Sequence, residues 1–150
     1  MKRIFIYSLL ASLFISCTSK TAPNQMLLHG EIRDLRKGTV YLERQQDTNY
    51  ITIDSINLYG TGEFSFSQKL DSPELLHLHV KLDNGELIED RITVFAEAGE
   101  ISLNANLKEF DKPKITGSEN HEKLVDFYKF ISRYDDQQVD LLLELIQAQQ

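Results

Sequence analysis

Few side chains in this 150-residue chain are of types and spacings that do chemistry, and each candidate implies a different reaction. The single cysteine, Cys17, closes the stretch Leu13-Phe14-Ile15-Ser16-Cys17, and its thiol can carry a thioether-linked lipid. His77 and His79 stand two apart, so on a strand both imidazoles project from one face and can reach one metal ion. A structural metal site wants four ligands, and His29, His121 or a carboxylate such as Glu74 would have to complete it. Spacing alone does not supply that set, so the pair reads as exposed histidines on the polar face of a half-buried strand. No metal and no other cofactor is expected.

Asp54-Ser55 lacks the surroundings of a nucleophile elbow, and adjacent residues on a strand face opposite ways. The pair reads as local backbone-bonding residues near a strand end. Asp83, Glu86, Glu89 and Asp90 form an acidic group without the alternating ligand order and glycine of a calcium loop, which makes them a solvated hairpin tip. With no catalytic residue among these candidates, the chain reads as a non-enzyme.

Cys17 is different, because the residues before it are organised around it. Lys2 and Arg3 precede an uncharged run from Ile4 to Ile15, the layout of a secretory signal. As a helix that run would span roughly 18 Å against a hydrocarbon core of about 30 Å, so export is expected rather than a membrane span. Leu13 to Cys17 resembles the lipobox of bacterial lipoproteins, with Phe14 departing from the usual leucine. An unpaired thiol is an oddity in an oxidising envelope unless chemistry occupies it, and diacylglycerol would. Two acyl chains, at about 0.8 kcal/mol per buried methylene, anchor a protein stably. Residues 1–16 are therefore expected to be a signal peptide. Residues 17–25 form a lipidated polar tether, with the membrane as the first partner. The residues after Cys17 lack the acidic run that, in the lipoproteins this stretch resembles, tends to mark surface export. The expected address is the outer membrane of the cell envelope, facing the periplasm.

Cleavage before Cys17 would leave 134 residues, enough for one domain with a sizeable core. Losing Lys2 and Arg3 leaves 14 basic against 23 acidic residues, so the formal charge falls from −7 to −9. Such a surface repels nucleic acid and anionic headgroups, and no nucleic-acid partner is expected. With Cys17 occupied, the mature chain has no thiol left for a disulfide or a C-x-x-C redox pair.

The elements that must position these residues are mainly strands. From residue 26 to about 107, short runs rich in branched and aromatic residues alternate with turn signals about every ten residues. Leu28, Gly30 and Ile32 share one face of the first run, and Thr39 to Glu43 form the second. Ile51 and Ile53 share a face of the third, opposite Thr52 and Asp54. Phe64 and Phe66 point together into the core. Leu76, Leu78, Val80 and Leu82 alternate with the two histidines, and Asn84-Gly85 predicts a type I′ hairpin with both residues at positive φ. The returning strand is expected from Leu87 to Glu97, and the seventh from Ile101 to Ala105. Two packed antiparallel sheets follow over residues 26–117, a β-sandwich of about seven strands, with an open barrel as the alternative.

Residues 118–150 read as a C-terminal helical segment. Ser118 is a good N-cap, and Glu119 and Glu122 suit the positive end of the helix dipole. Leu124, Phe127, Tyr128 and Ile131 form one apolar stripe, and Val139, Leu142, Leu143 and Ile146 repeat it. Asp135 to Gln138 between them is either a break or a polar patch on one long helix. The second stripe is wide, since Leu141 and Leu145 add to it, so it must be covered, and the domain's own sandwich is the expected cover. An envelope-protein partner or a later segment of chain is the alternative.

Several pieces in fixed order carry a resemblance over about residues 26 to 120. Leu28-His29-Gly30-Glu31-Ile32, Gly38-Thr39-Val40-Tyr41-Leu42, Gly60-Thr61-Gly62-Glu63-Phe64-Ser65-Phe66, Glu97-Ala98-Gly99-Glu100-Ile101 and Thr116-Gly117-Ser118-Glu119-Asn120 are similar to a domain of unknown function (four-three-six-nine) of Bacteroidota lipoproteins. The resemblance implies an envelope-facing accessory domain. In that family it commonly precedes a thioredoxin-like thiol-disulfide domain with a C-x-x-C motif, and no such motif occurs here. The expected role is therefore a noncatalytic binding or accessory module of a membrane-anchored lipoprotein. The alternatives are the N-terminal domain of a thiol-disulfide oxidoreductase and a metal- or ligand-binding sandwich centred on His77 and His79.

Overall fold

The computed structural model describes residues 24–147, so Cys17, the signal stretch and most of the tether lie outside the described residues. Eight strands are followed by one helix: β1 (Gln25–Arg33), β2 (Lys37–Gln46), β3 (Asn49–Tyr59), β4 (Glu63–Lys69), β5 (Glu74–Leu82), β6 (Ile92–Ala96), β7 (Gly99–Asn106), β8 (Glu109–Thr116) and α1 (Glu119–Gln147). They form two four-stranded sheets, ordered β4-β1-β7-β8 and β3-β2-β5-β6. The expected mainly β architecture with a C-terminal helix is present, and the two inner faces supply its core. Leu28, Ile101 and Leu103 come from the first sheet, and Leu42, Leu76, Leu78 and Val80 from the second, all essentially inaccessible to water. Each such side chain contributes roughly 1.5–3 kcal/mol on burial.

Two features differ from the sequence expectation. The eighth strand, Glu109–Thr116, lies beyond the seventh and last strand expected from the sequence, because Pro113 disguises it. Proline is tolerated there since β8 is an edge strand. The first sheet is also not wholly antiparallel, because β1 pairs with β7 in parallel from Met26↔Gly99 to Arg33↔Asn106. That pairing links chain segments far apart in sequence, and no local pattern encodes it.

Three local readings are corrected. The loop after β5 is not type I′, since only Gly85 has positive φ (88°). Its N–H bonds Leu82 O at 2.9 Å while Leu82 N–H bonds Glu86 O at 2.7 Å, the three-residue hairpin with a glycine bulge. Asn84 Oδ1 accepts the Glu86 N–H at 3.0 Å and holds that form. The strand expected from Leu87 to Glu97 is only Ile92–Ala96; Leu87 makes an isolated bridge to Lys81, and the chain between leaves the ladder. In β3 a bulge opposite Leu42 and Glu43 breaks the alternation of Ile51 and Ile53. Asp54 takes the place opposite Leu42, and Ile51 stays exposed.

Phe64 and Phe66 are core residues as expected, with ring centroids 5.6 Å apart. Gly30 makes room for them: it sits opposite Phe64, and a Cβ there would lie 2.1 Å from that ring. Gly117 is needed for a different reason. Its φ is +90°, and a Cβ would lie 2.2 Å from Glu100 O, which is backbone and cannot swing aside.

Gly117→Ala is expected to lower unfolding free energy by at least about 1–3 kcal/mol. Gly60→Ala, where φ is also positive (+95°) but nothing lies within 4 Å, is expected to lose less. Urea titration followed by circular dichroism measures both.

Candidate functional site

Two places on the molecule gather unusual side chains: the outer face of the second sheet and the junction between that sheet and α1. The first forms because β5 presents Leu76, Leu78 and Val80 inward, which forces His77 and His79 outward. They share a face as expected, but they are not exposed; each retains 7 % accessibility. The segment between Leu87 and Arg91 and the Tyr50 side chain from β3 cover them. Ile88 O accepts from His79 Nε2 at 2.9 Å, and His79 Nδ1 lies 3.4 Å from Glu43 Oε1. Arg91 Nη2 donates to that Nδ1 at 3.3 Å, while Arg91 Nε pairs with Glu43 Oε2 at 2.8 Å. The Arg91 guanidinium also lies 4.1 Å from the Tyr50 ring centroid, and Tyr50 stands edge-on to His77 with centroids 5.0 Å apart. His77 Nδ1 is 3.1 Å from Thr93 Oγ1. An open depression of about 320 Å³, walled by Tyr41, Thr52, Lys81 and Leu87, lies above Glu43, His79 and Arg91.

This cluster is polar, covered and internally paired. Among the described residues no buried side-chain nitrogen or oxygen lacks a hydrogen-bond partner, and no group of three His, Cys, Asp or Glu side chains is arranged to hold a metal ion. The residues proposed to complete a metal set are elsewhere. His29 is exposed on β1 in the other sheet, Glu74 makes a bidentate pair with Arg44 at 2.7 Å and 2.7 Å, and His121 lies at the helix start. Asp54 is in mid-strand rather than near a strand end. Its carboxylate accepts from Ser55 N–H at 2.8 Å and from Gln68 Nε2 at 3.0 Å, tying β3 to β4. Of the acidic group, Asp83 pairs with Lys37 at 3.7 Å, and Glu86 with Asn84 at 3.2 Å.

The second place is built by the segment Thr116 to His121. β6 is an edge strand, and Phe95 turns its N–H and C=O outward, where no further strand pairs with them. The helix start takes that position. Ser118 Oγ donates to Phe95 O at 3.0 Å, accepts the His121 N–H at 3.0 Å as an N-cap, and is 1 % exposed. His121 Nδ1 accepts the Phe95 N–H at 3.4 Å. Asn120 Nδ2 donates to the Glu97 carboxylate, which also takes the Asn120 N–H at 3.4 Å. Ser118 as N-cap was legible in the sequence; Phe95 and Glu97 as its counterparts were not, because they are set by where the edge of β6 falls.

Beyond this clamp α1 leaves the domain. It is one continuous helix through Asp135 to Gln138, and among the described residues its contacts are with β6 and β8. The sandwich does not cover the first stripe: Phe127, Tyr128, Phe130, Ile131 and Tyr134 are 40–56 % exposed. The sheets have already buried their apolar faces against each other, and the clamp points the helix past their edge. The side chains of the second stripe, Val139 to Ile146, for which docking on the sandwich is expected, lie outside those described.

Fold and site together define a mixed eight-stranded β-sandwich with a clamped, projecting C-terminal helix. The chain belongs to the family described as a domain of unknown function (DUF4369), whose profile matches residues 26–124. That match takes in the whole sandwich and the clamp and stops where the exposed stripe begins. A comparison with curated proteins gives no match.

Burial holds His121 and His77 below the ordinary histidine value of 6.5, with the Arg91 charge adding to the effect at His77 and Glu122 and Glu43 opposing it. The unfolded chain therefore binds more protons around that pH, so stability is full above pH 6.5 and is lost as pH falls below it. The urea midpoint is expected to fall between about pH 7.5 and pH 5.5. His121→Asn, which cannot take up a proton in that range, should flatten the decline; an unchanged slope would remove His121 as a contributor.

Proposed function

We propose that this chain is a lipid-anchored cell-envelope protein, a noncatalytic accessory module whose sandwich carries α1 as its docking element. The observation that carries this reading is the exposed aromatic stripe from Phe127 to Tyr134 on a helix held at a fixed direction. Contiguous exposed apolar surface of this kind marks interaction sites on proteins that are otherwise well packed. The paired state of the outer-face cluster supports a structural use for His77, His79, Glu43 and Arg91 rather than a catalytic one.

The anchor rests on the sequence. Lys2-Arg3, the uncharged run and the lipobox-like stretch ending at Cys17 favour export and lipidation, and the polar residues to Gln25 let the domain stand away from the bilayer. No described helix is long and apolar enough to cross a membrane, so α1 is not a second anchor of that kind. The outer membrane, on its periplasmic side, is the proposed address. The stripe also favours a second reading, in which this domain is the N-terminal part of a thiol-disulfide oxidoreductase and α1 packs against further chain. A C-x-x-C codon pattern downstream of codon 150 in the gene would establish that reading.

Cells expressing the chain and fed an alkyne-bearing palmitate are expected to label it, and Cys17→Ala is expected to abolish both labelling and retention in the membrane fraction. Membrane retention of Cys17→Ala at the level of the native chain would refute the anchor.

A further inference from the structure

We propose that α1 pairs with α1 of a second copy of this chain, in parallel and in register, as a two-stranded coiled coil. This rests on the reading of α1 as the docking element and names its occupant. Leu124, Phe127, Ile131, Tyr134 and Gln138 recur at alternating spacings of three and four residues, the a and d positions of a heptad. Leu124 is half-buried beside the clamp, and the other four are exposed. Tyr128 and Phe130 flank the seam at e and g, also exposed. The seam is thus unbroken along one line of a continuous helix.

Charge selects among occupants. The chain is acidic, and α1 itself carries seven Asp and Glu against three Lys and Arg, whereas a helix lying in a membrane interface is rich in Lys and Arg along its polar face. Nucleic acid is disfavoured for the same reason. Within the helix Glu119 pairs with Lys123 at 2.6 Å and Asp126 with Lys129 at 3.2 Å. What remains to be covered is the apolar line, and a helical protein surface is its complement.

Gln138 narrows that to a second copy. A polar residue at a single a position costs stability but specifies register, since two such residues meet only in a parallel, aligned pair. A foreign apolar groove would gain nothing from a glutamine in the seam. Area is consistent. Four half-exposed aromatic side chains of about 150–250 Å² each, with Ile131, offer roughly 400–600 Å² per copy, against about 800 Å² per partner for a standard interface. About two and a half turns of helix remain between Gln138 and Gln147 to supply the difference.

The chain starting at Thr18 suits the test, because its core closes within residues 26–115 and it lacks the native cysteine. At about 100 µM it should have twice the monomer mass by light scattering, and Ile131→Asp should make it monomeric without changing the thermal transition of the sandwich. Single cysteines at a and d positions, Gln138→Cys and Tyr134→Cys, should form disulfide-linked dimers on mild oxidation at least about tenfold faster than Lys129→Cys on the opposite face. Equal rates at all three positions, or a monomer at that concentration, would overturn the pairing. A monomer that binds another protein and loses it in Ile131→Asp would overturn the second copy while leaving α1 as a docking element. A monomer indifferent to Ile131→Asp would remove both.

Discussion

The free edge of β6 is the constraint from which the rest of this molecule's surface follows. An edge strand leaves backbone N–H and C=O groups that need partners, and an unprotected edge invites other strands. Here Phe95 finds both partners in the first turn of α1, through Ser118 and His121, while Glu97 holds Asn120. One set of bonds therefore caps the helix, closes the edge and fixes the direction in which α1 departs. The exposure of Phe127 to Tyr134 is a consequence of that direction. Gly117 belongs to the same arrangement, because the turn that delivers Ser118 to Phe95 requires positive φ beside Glu100 O.

The outer face of the second sheet shows how chemically suggestive residues can be structural. Glu43 and Arg91 form an ion pair whose net contribution is small, since desolvation offsets much of the attraction. Its use is positional. Arg91 reaches His79 and stacks on Tyr50, and this covers His77 and His79 although they sit on the face turned away from the core. A neutral histidine offering one donor and one acceptor fits such a site, and burial keeps His77 in that form near neutral pH.

Much of the sandwich was legible because alternation over short segments is a direct signature of a half-buried strand. Leu28 and Ile32, Phe64 and Phe66, and Leu76, Leu78 and Val80 face inward as their spacing implies. The failures have physical causes. Asp54 faces inward because a bulge inserts a residue, and bulges leave no periodic trace. Asn84 avoids positive φ because its own side chain bonds the Glu86 N–H, and β8 was hidden by a proline that only an edge strand tolerates. The spacing of His77 and His79 encodes the pair but not the network around it. Glu43 and Arg91 come from segments 48 residues apart and meet only through strand pairing.

What the sequence by itself determined was local: strand faces, the N-cap at Ser118, the helical periodicity of residues 119–147, the acidic balance, and a cysteine placed as in lipoprotein signals. These are properties of neighbouring residues, which share one stretch of backbone geometry. The tertiary structure alone decided that β1 lies parallel to β7, that His77 and His79 are covered, and that α1 projects from the domain instead of lying on it. Each of those depends on which distant segments meet. That is governed by how two apolar faces close on each other and by which backbone groups are left at the edge to be satisfied.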